Sequence, residues 1–215
     1  MLSSRIAITT PPRRLAALGA EVVAFDFAPE MIALAQERTV EHRDRITYLV
    51  VDATDESALL KLGEGSFDAA LSNMALFDMA EIAPVFRALT RLLKSNGCFV
   101  FTMMHPCFNN PYTVHVAELE DRAGDFITSY SIKVKAYMTT SLAHGAAMIG
   151  QPKPQIYFHR SLQELFAAGF ETGFVIDGLE ERAFPPTHPL SRNPLSWNGN
   201  FSEIPPVLVV RMRKV

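Results

Sequence analysis

The sequence predicts an α/β fold: a doubly wound, mostly parallel sheet with an antiparallel C-terminal edge strand and an inserted lid. The first observation is that short apolar runs alternate with helical segments up to Met104. The second is that three of these runs are almost continuously apolar, as is typical of parallel strands buried on both faces. They are Val22–Phe25, Thr47–Val51 and Phe99–Met104. The third is that successive strands end in polar residues, at the edge where open α/β sheets bind ligands.

The first half of the chain alternates predicted strands and helices. Ile6–Thr10 occupies the place of a first strand, and Gly19 and Pro29 mark the end of one helix and the start of the next. The predicted strands are Val22–Asp26, Ile46–Val51, Phe67–Ser72 and Cys98–Met103, and the predicted helices are Arg13–Leu18, Pro29 to about Arg38, and Ile82–Leu93.

The second half begins with a segment that has no simple strand–helix rhythm, from His105 to Phe158. A helix over Ser161–Ala168 follows, and then two strands, Phe174–Leu179 and Val207–Met212, joined by a long loop. This order predicts an antiparallel hairpin that closes the sheet edge. Because no shift in composition marks a boundary, we expect one domain over residues 1–215, with residues 105–158 as a lid or substrate insertion.

Composition favours small-molecule chemistry. The 215 residues are 48% apolar and 20% charged, with a net charge of −3. This balance is that of a globular protein and is a poor match for nucleic-acid binding, which depends on phosphate contacts from basic residues. The two cysteines, Cys98 and Cys107, form neither a disulfide framework nor a metal cluster, so no metal site is expected. Residues 1–10 lack the apolar core of a signal peptide, and no segment has membrane-spanning length, so we expect a cytoplasmic protein without membrane contact.

Three segments together resemble the class I S-adenosylmethionine-dependent methyltransferases. They are EVVAFDFAPEM (residues 21–31), FDAALSNMALFDM (67–79) and LLKSNGCFVFT (92–102). The resemblance implies a Rossmann-like sheet that binds S-adenosyl-L-methionine and releases S-adenosyl-L-homocysteine. It implies that Asp26 binds the ribose, that Asp52 contacts the adenine amino group beside the Ala53 amide, and that the segment after the next strand borders the methionine part. The full expected cofactor set is Asp26, Phe27, Met31, Asp52, Ala53, Asn73, Met74 and Phe77.

The glycine-rich first motif of that family is absent. Thr10-Pro11-Pro12 stands in its place, and proline removes an N–H donor and restricts φ where the turn needs free donors and permissive dihedrals. Two explanations stay open. Either the true beginning of the domain differs from this one, through a misplaced start or an upstream sequence change, or the protein binds cofactor weakly or not at all.

His105 is the candidate catalytic residue. It follows the fourth strand, and a neutral imidazole there could take a proton from an oxygen or nitrogen acceptor. The alternative is a structural histidine, hydrogen-bonded under the lid. The candidate substrate residues are Phe108, Tyr137, Tyr157 and His159. They predict an aromatic-lined pocket for an organic acceptor, or a small lid core. His159 also reads as the approach to a helix capped by Ser161.

The leading hypothesis is S-adenosylmethionine-dependent methyl transfer to a small organic acceptor, O- or N-directed, by direct displacement in a capped pocket. The alternative is a methyltransferase-like binding or assembly module with weak or no cofactor binding. A third class, a nucleotide-sugar or nicotinamide enzyme, also places an acidic residue at the end of its second strand but needs the same missing glycines. The expected partners are a small-molecule acceptor and, for the chain itself, a monomer or homodimer.

Overall fold

The computed structural model describes residues 5–8, 12–145, 152–190 and 192–215. The described residues form eleven strands: β1 (Arg5–Ile8), β2 (Glu21–Asp26), β3 (Ile46–Val50), β4 (Phe67–Asn73), β5 (Leu93–Met104), β6 (Thr113–Arg122), β7 (Asp125–Val134), β8 (Ser141–Gly145), β9 (Gln155–His159), β10 (Phe174–Arg182) and β11 (Val207–Lys214). Their helices are α1 (Pro12–Ala17), α2 (Pro29–Glu37), α3 (Glu56–Leu60), α4 (Ala83–Leu92) and α5 (Leu162–Phe170). None of these helices combines the length and apolarity needed to cross a membrane.

Seven strands form one sheet in the order β10-β11-β5-β4-β1-β2-β3. Strands β1 to β5 pair in parallel, so the predicted doubly wound α/β fold is confirmed. The C-terminal strand β11 runs antiparallel to both of its neighbours, β5 and β10. It therefore lies one strand in from the edge, and β10 is the edge strand. The strand order reverses at β1, which pairs with β2 on one side and β4 on the other.

The sequence analysis did not predict helix α3 or the two hairpins between β5 and α5. Helix α3 is short, and the Asp55 side chain caps it by accepting a hydrogen bond from the Ala58 amide at 3.0 Å. The segment between β5 and α5, expected to be irregular, contains two antiparallel hairpins, β6–β7 and β8–β9. The longer hairpin packs beside the 3₁₀ turn Gly199–Phe201, where His115 contacts the rings of Trp197 and Phe201. Trp197 is thereby an anchor for its loop.

The sheet buries apolar side chains on both faces because successive side chains of a strand point to opposite sides. In β2, Val23 and Phe25 join the larger core, whereas Val22 and Ala24 join a smaller one. Helices α3, α4 and α5 supply Leu59, Phe86 and Leu165 to the larger core, and α1 supplies Ala16 to the smaller one. Burial of both faces explains the continuous apolar runs in the sequence.

We expect Phe86→Ala to destabilise the protein by about 3–5 kcal/mol, because Phe86 is fully buried and its ring contacts those of Phe99 and Phe174. Leu18→Ala is the matched control. Leu18 is 79% exposed, so its loss should change the free energy of unfolding by about 0.5 kcal/mol or less. Denaturant titration measures both, and equal effects of the two variants would contradict the assigned core.

Candidate functional site

A cleft with about 900 Å³ of empty space opens at the carboxyl edge of the sheet, where β2, β3 and β4 end. Ligands of open α/β sheets bind at this edge, beside the point where the strand order reverses. Three loops supply its walls. The lining residues are Phe25, Asp26 and Phe27 after β2, Val51 to Thr54 after β3, and Ala75, Asp78, Met79 and Ala80 after β4.

The two strand-end aspartates lie on adjacent walls of this cleft. The half-buried Asp26 accepts a hydrogen bond from the Ala28 amide through Oδ1 at 2.9 Å. Asp52 is exposed and accepts two hydrogen bonds from Thr54, from its amide at 2.8 Å and its hydroxyl at 2.7 Å, also through Oδ1. Each local turn holds one carboxylate oxygen and leaves the other oxygen for a ligand. Two carboxylates aimed at one cleft suit a ligand rich in hydroxyl and amino donors.

Asp78 is a third carboxylate in the cleft, and sequence reasoning missed it. It ends the 3₁₀ turn Leu76–Asp78 and has no hydrogen-bond donor or ion-pair partner within the described ranges. More than a third of the side chain remains exposed, yet the surrounding protein desolvates the carboxylate enough to raise its pKa to about 6. Asp78 also raises the pKa of the nearby Tyr157 phenol, after the larger effect of burial.

The loop after β4 begins with a strained turn. Asn73 Oδ1 accepts a hydrogen bond from the Thr102 hydroxyl at 2.5 Å, and the Met74 amide donates to the Thr102 carbonyl at 2.9 Å. Met74 has a φ of 54°, a left-handed conformation that is unfavourable for a residue with a β-carbon. Such strain persists only where the surrounding structure enforces it. Here it turns the chain sharply, so that residues 75–80 form a wall of the cleft.

A second, smaller cavity lies on the other side of this loop, with about 280 Å³ of empty space that is partly open to solvent. Phe77 is buried in its wall and contacts the Tyr157 ring, with ring centroids 5.4 Å apart. Most of the cavity surface is apolar or aromatic, with a few polar groups, as in many small-molecule sites. The lining residues are Phe77, Met103, Met104, Pro106, Asn109, Asn110, Pro111, Tyr157, Phe158, His159 and Arg160.

Arg160 connects the two cavities. Its side chain lines the smaller cavity and donates to the Met79 and Ala80 carbonyls at 2.6 Å each, and to the Leu76 carbonyl at 3.4 Å. These carbonyls belong to the loop that walls the larger cleft. Because one guanidinium binds three backbone carbonyls of that loop, Arg160 positions the cleft wall from the side of the smaller cavity.

His159 is buried in the wall of the smaller cavity, and its Nε2 lies 2.7 Å from the Tyr137 carbonyl oxygen. A carbonyl only accepts, so Nε2 carries the proton and Nδ1 is the ring nitrogen that can accept one. Tyr137 itself does not line the cavity, since its hydroxyl accepts a hydrogen bond from the Leu162 amide at the start of α5. The predicted cap at Ser161 is present, with the Glu164 amide as donor.

The structure buries His105 and gives each of its ring nitrogens a hydrogen-bond partner. The ring is buried, its Nδ1 accepts from the Cys107 amide at 3.1 Å, and its Nε2 donates to Glu181 at 2.8 Å. Burial lowers the pKa of His105, partly offset by the hydrogen bond to Glu181. With both nitrogens occupied and the ring outside both cavity walls, His105 is not placed to take a proton from an acceptor. Phe108 packs on this ring at 4.6 Å, away from the cavity.

The structure sorts the remaining predicted residues by position. Asp26, Phe27, Asp52 and Ala53 line the large cleft, and Tyr157 and His159 line the small cavity. Phe77, predicted to contact the cofactor, lines the small cavity instead. Met31 is exposed on the first turn of α2, and Asn73 and Met74 lie behind the cleft wall. Thr10 and Pro11, where the glycine-rich motif was expected, lie outside the described residues, and Pro12 begins α1.

Comparison with known proteins confirms the predicted resemblance to S-adenosylmethionine-dependent methyltransferases. Residues 10–101 match the methyltransferase domain family. The chain is 35% identical over 83 residues to a ubiquinone biosynthesis O-methyltransferase of Xanthomonas oryzae pv. oryzae, a segment that is 39% of this chain and 34% of that relative. The chain thus matches about a third of that relative's length.

Two solved structures share the fold over nearly the whole chain. An S-adenosylmethionine-dependent methyltransferase from Mesorhizobium loti superposes with a TM-score of 0.72 at 22% identity, covering 98% of this chain and 90% of the other. A structure from Listeria monocytogenes assigned to the same class superposes with a TM-score of 0.71 at 19% identity, covering 99% and 92%. At this identity the likeness establishes the fold.

Asp78→Asn should change how stability depends on pH. Because folding raises the pKa of Asp78 from 3.8 to about 6, the stability that it contributes is full below pH 4 and is lost as the pH rises through 6. The neutral variant lacks this loss and should gain stability relative to the parent at pH 7, on the order of 1 kcal/mol after solvent screening. Denaturant titrations from pH 4 to 8 measure the difference. Asp125→Asn, on an exposed strand, is the control.

His105→Phe should lower stability by about 1–3 kcal/mol, since the Cys107 amide and Glu181 both lose a partner while the ring stacking is kept. Folding lowers the pKa of His105, so its stabilisation is present above pH 6.5 and lost as the pH falls below that value. The variant should lack this part of the acid sensitivity. A variant that keeps its stability and cofactor affinity but loses turnover would return His105 to the catalytic machinery.

Proposed function

We propose that this chain transfers a methyl group from S-adenosyl-L-methionine to a small organic acceptor. The observation that supports this most is the pair of cavities that share one loop: a large cleft with two strand-end aspartates, and a small aromatic cavity beside it. We assign the cofactor to the large cleft and the acceptor to the small cavity.

The cleft residues fit this cofactor. Asp26 has a second carboxylate oxygen for the ribose hydroxyls, and Asp52, at the end of the neighbouring strand, has one for the adenine amino group. Apolar atoms of Phe25, Ala53 and Met79 line both this cleft and an adjoining internal cavity, which suits the faces of a purine ring. The cleft is also acidic, with Asp78 as a third carboxylate, and this favours a ligand that carries positive charge.

The chemistry needs little from the protein beyond alignment. When bound, S-adenosyl-L-methionine supplies a methyl group activated by its sulfonium, and S-adenosyl-L-homocysteine is the product. Residues 75–80 separate the two cavities, so their position determines how the acceptor meets the methyl group. Aromatic side chains of the small cavity, Phe77, Tyr157 and Phe158, exclude water. His159 replaces His105 as the candidate to accept a proton from the acceptor, because it lines this cavity and retains an acceptor nitrogen.

The insertion between β5 and α5 supplies most of the acceptor cavity, which supports its role as a lid within a single domain over residues 1–215. Residues 106–111 form one side of the cavity, and β9 forms the other. The name of the matched relatives favours an oxygen acceptor over a nitrogen acceptor. The net charge of −3 favours a small molecule over nucleic acid. We propose that the chain acts in the cytoplasm as a monomer or homodimer.

Calorimetric titration of the purified chain with S-adenosyl-L-methionine and S-adenosyl-L-homocysteine tests the proposal. We expect micromolar dissociation constants, about −8 kcal/mol. A folded chain that binds neither would favour the alternative, a methyltransferase-like binding or assembly module. The prolines that stand where glycines were expected support that alternative.

Asp26→Asn should weaken the affinity for S-adenosyl-L-homocysteine about tenfold or more. The amide oxygen can still accept from the Ala28 amide, so the turn is kept while the charge-assisted hydrogen bond to ribose is lost. Asp52→Asn should act in the same way but more weakly, because Asp52 is more exposed. Asp125→Asn is again the control. Unchanged affinity in both cleft variants would remove these aspartates from the cofactor site.

A further inference from the structure

The Arg160 guanidinium is a buried charge without a counter-ion. The residue is 7% exposed, and no carboxylate lies within ion-pair distance of it among the residues that the structure describes. Its polar contacts are three backbone carbonyls, which carry no net charge. Removing a cation from water costs several kcal/mol, and uncharged acceptors offset only part of that cost. A negative charge next to Arg160 would therefore be strongly stabilised.

Burial lowers the pKa of Arg160, and the opposing effects come from Glu164 and Glu81, which act without touching it. Neither of these carboxylates lines the small cavity. Arg160 therefore remains charged, and no carboxylate in the cavity wall compensates this charge. A buried charge of this kind in a cavity wall is a candidate for ligand recognition.

Arg160 also has donors to spare. A guanidinium carries five N–H groups, and three hydrogen bonds to carbonyls leave one on Nε and one on Nη1. Each of these two N–H groups can donate to a carboxylate oxygen, and the side chain is held in place by its contacts with the loop. Because Arg160 belongs to the cavity wall, these donors are the strongest polar feature available to a molecule in the cavity.

The other residues of the cavity wall determine which group the uncharged part of a ligand can carry. Phe77, Tyr157 and Phe158 present aromatic surface, Met103 and Met104 present thioethers, and no acidic side chain appears in the wall. Together, a cation and aromatic walls favour an aromatic anion.

We propose that the acceptor is an aromatic carboxylate whose negative group pairs with Arg160, which makes Arg160 the residue that determines acceptor specificity. This rests on the proposed function only for the transfer step, because the recognition needs no cofactor. It also connects the two sites: an acceptor that engages Arg160 tightens its hold on the loop of residues 76–80, which walls the cofactor cleft. Acceptor and cofactor should then bind with positive coupling.

The test compares two probes that differ only in charge, 4-hydroxybenzoate and 4-hydroxybenzamide, titrated into the full chain with and without saturating S-adenosyl-L-homocysteine. We expect the carboxylate to bind at least tenfold more tightly than the amide. We also expect Arg160→Met to abolish this preference and Arg160→Lys to retain part of it, since lysine keeps the charge without the planar donor array. Glu81→Gln, which changes a charge outside the cavity wall, is the control and should keep the preference.

Equal affinity for the two probes, or binding of neither, overturns the inference. Preference for the carboxylate that survives in Arg160→Met also overturns it, provided that the melting temperature and homocysteine affinity of the variant show an intact fold and cleft. Carboxylate preference in a chain that fails to bind S-adenosyl-L-homocysteine would support the inference and contradict the proposed function. The two proposals can therefore fail separately.

Discussion

Burial of the central strands on both faces is the constraint on which the rest of the structure depends. A strand covered on both sides must be apolar along its length, as β2 is from Val22 to Phe25, and its backbone groups must pair on both sides. Asp26 is the first charged residue after this apolar run, and Asp52 follows the neighbouring strand β3. Parallel pairing brings the two residues to one edge of the sheet. The location of the ligand cleft is therefore a consequence of how the strands are buried in the core.

Arg160 extends this organisation to the second cavity. The loop after β4 carries little regular structure beyond one 3₁₀ turn, and it begins with a left-handed Met74. A loop of this kind needs outside support, and it receives that support from a residue more than eighty positions later in the chain. The same side chain lines the acceptor cavity. The lid, the loop and the cleft are thus mechanically connected by a few hydrogen bonds to backbone carbonyls, which demand a fixed donor geometry.

The two buried histidines show how hydrogen bonding decides the role of a titratable side chain. His105 directly follows strand β5, and His159 is the last residue of strand β9. The nitrogens of His105 are both used by partners within the protein, whereas Nδ1 of His159 remains as an acceptor in a cavity wall. Both histidines lie near the sheet edge, and only their hydrogen-bond partners distinguish them.

The sequence by itself determined the sheet, its parallel centre and the acidic ends of β2 and β3, because these features depend on local composition and on a rule that applies to every open α/β sheet. It also predicted that Tyr157 and His159 face a cavity. The tertiary structure decided what depends on contacts between distant segments. These features are the hairpins β6–β7 and β8–β9 and the hydrogen bond between His105 and Glu181. The positions of Phe77 in the small cavity and of Asp78 in the cleft are two more. The contacts of Arg160 also depend on the fold, because the sequence around Arg160 does not predict that it binds backbone carbonyls of residues 76–80. Periodicity records which side of an element is buried, but the partner that covers it comes from elsewhere in the chain, and only the folded structure brings the two together.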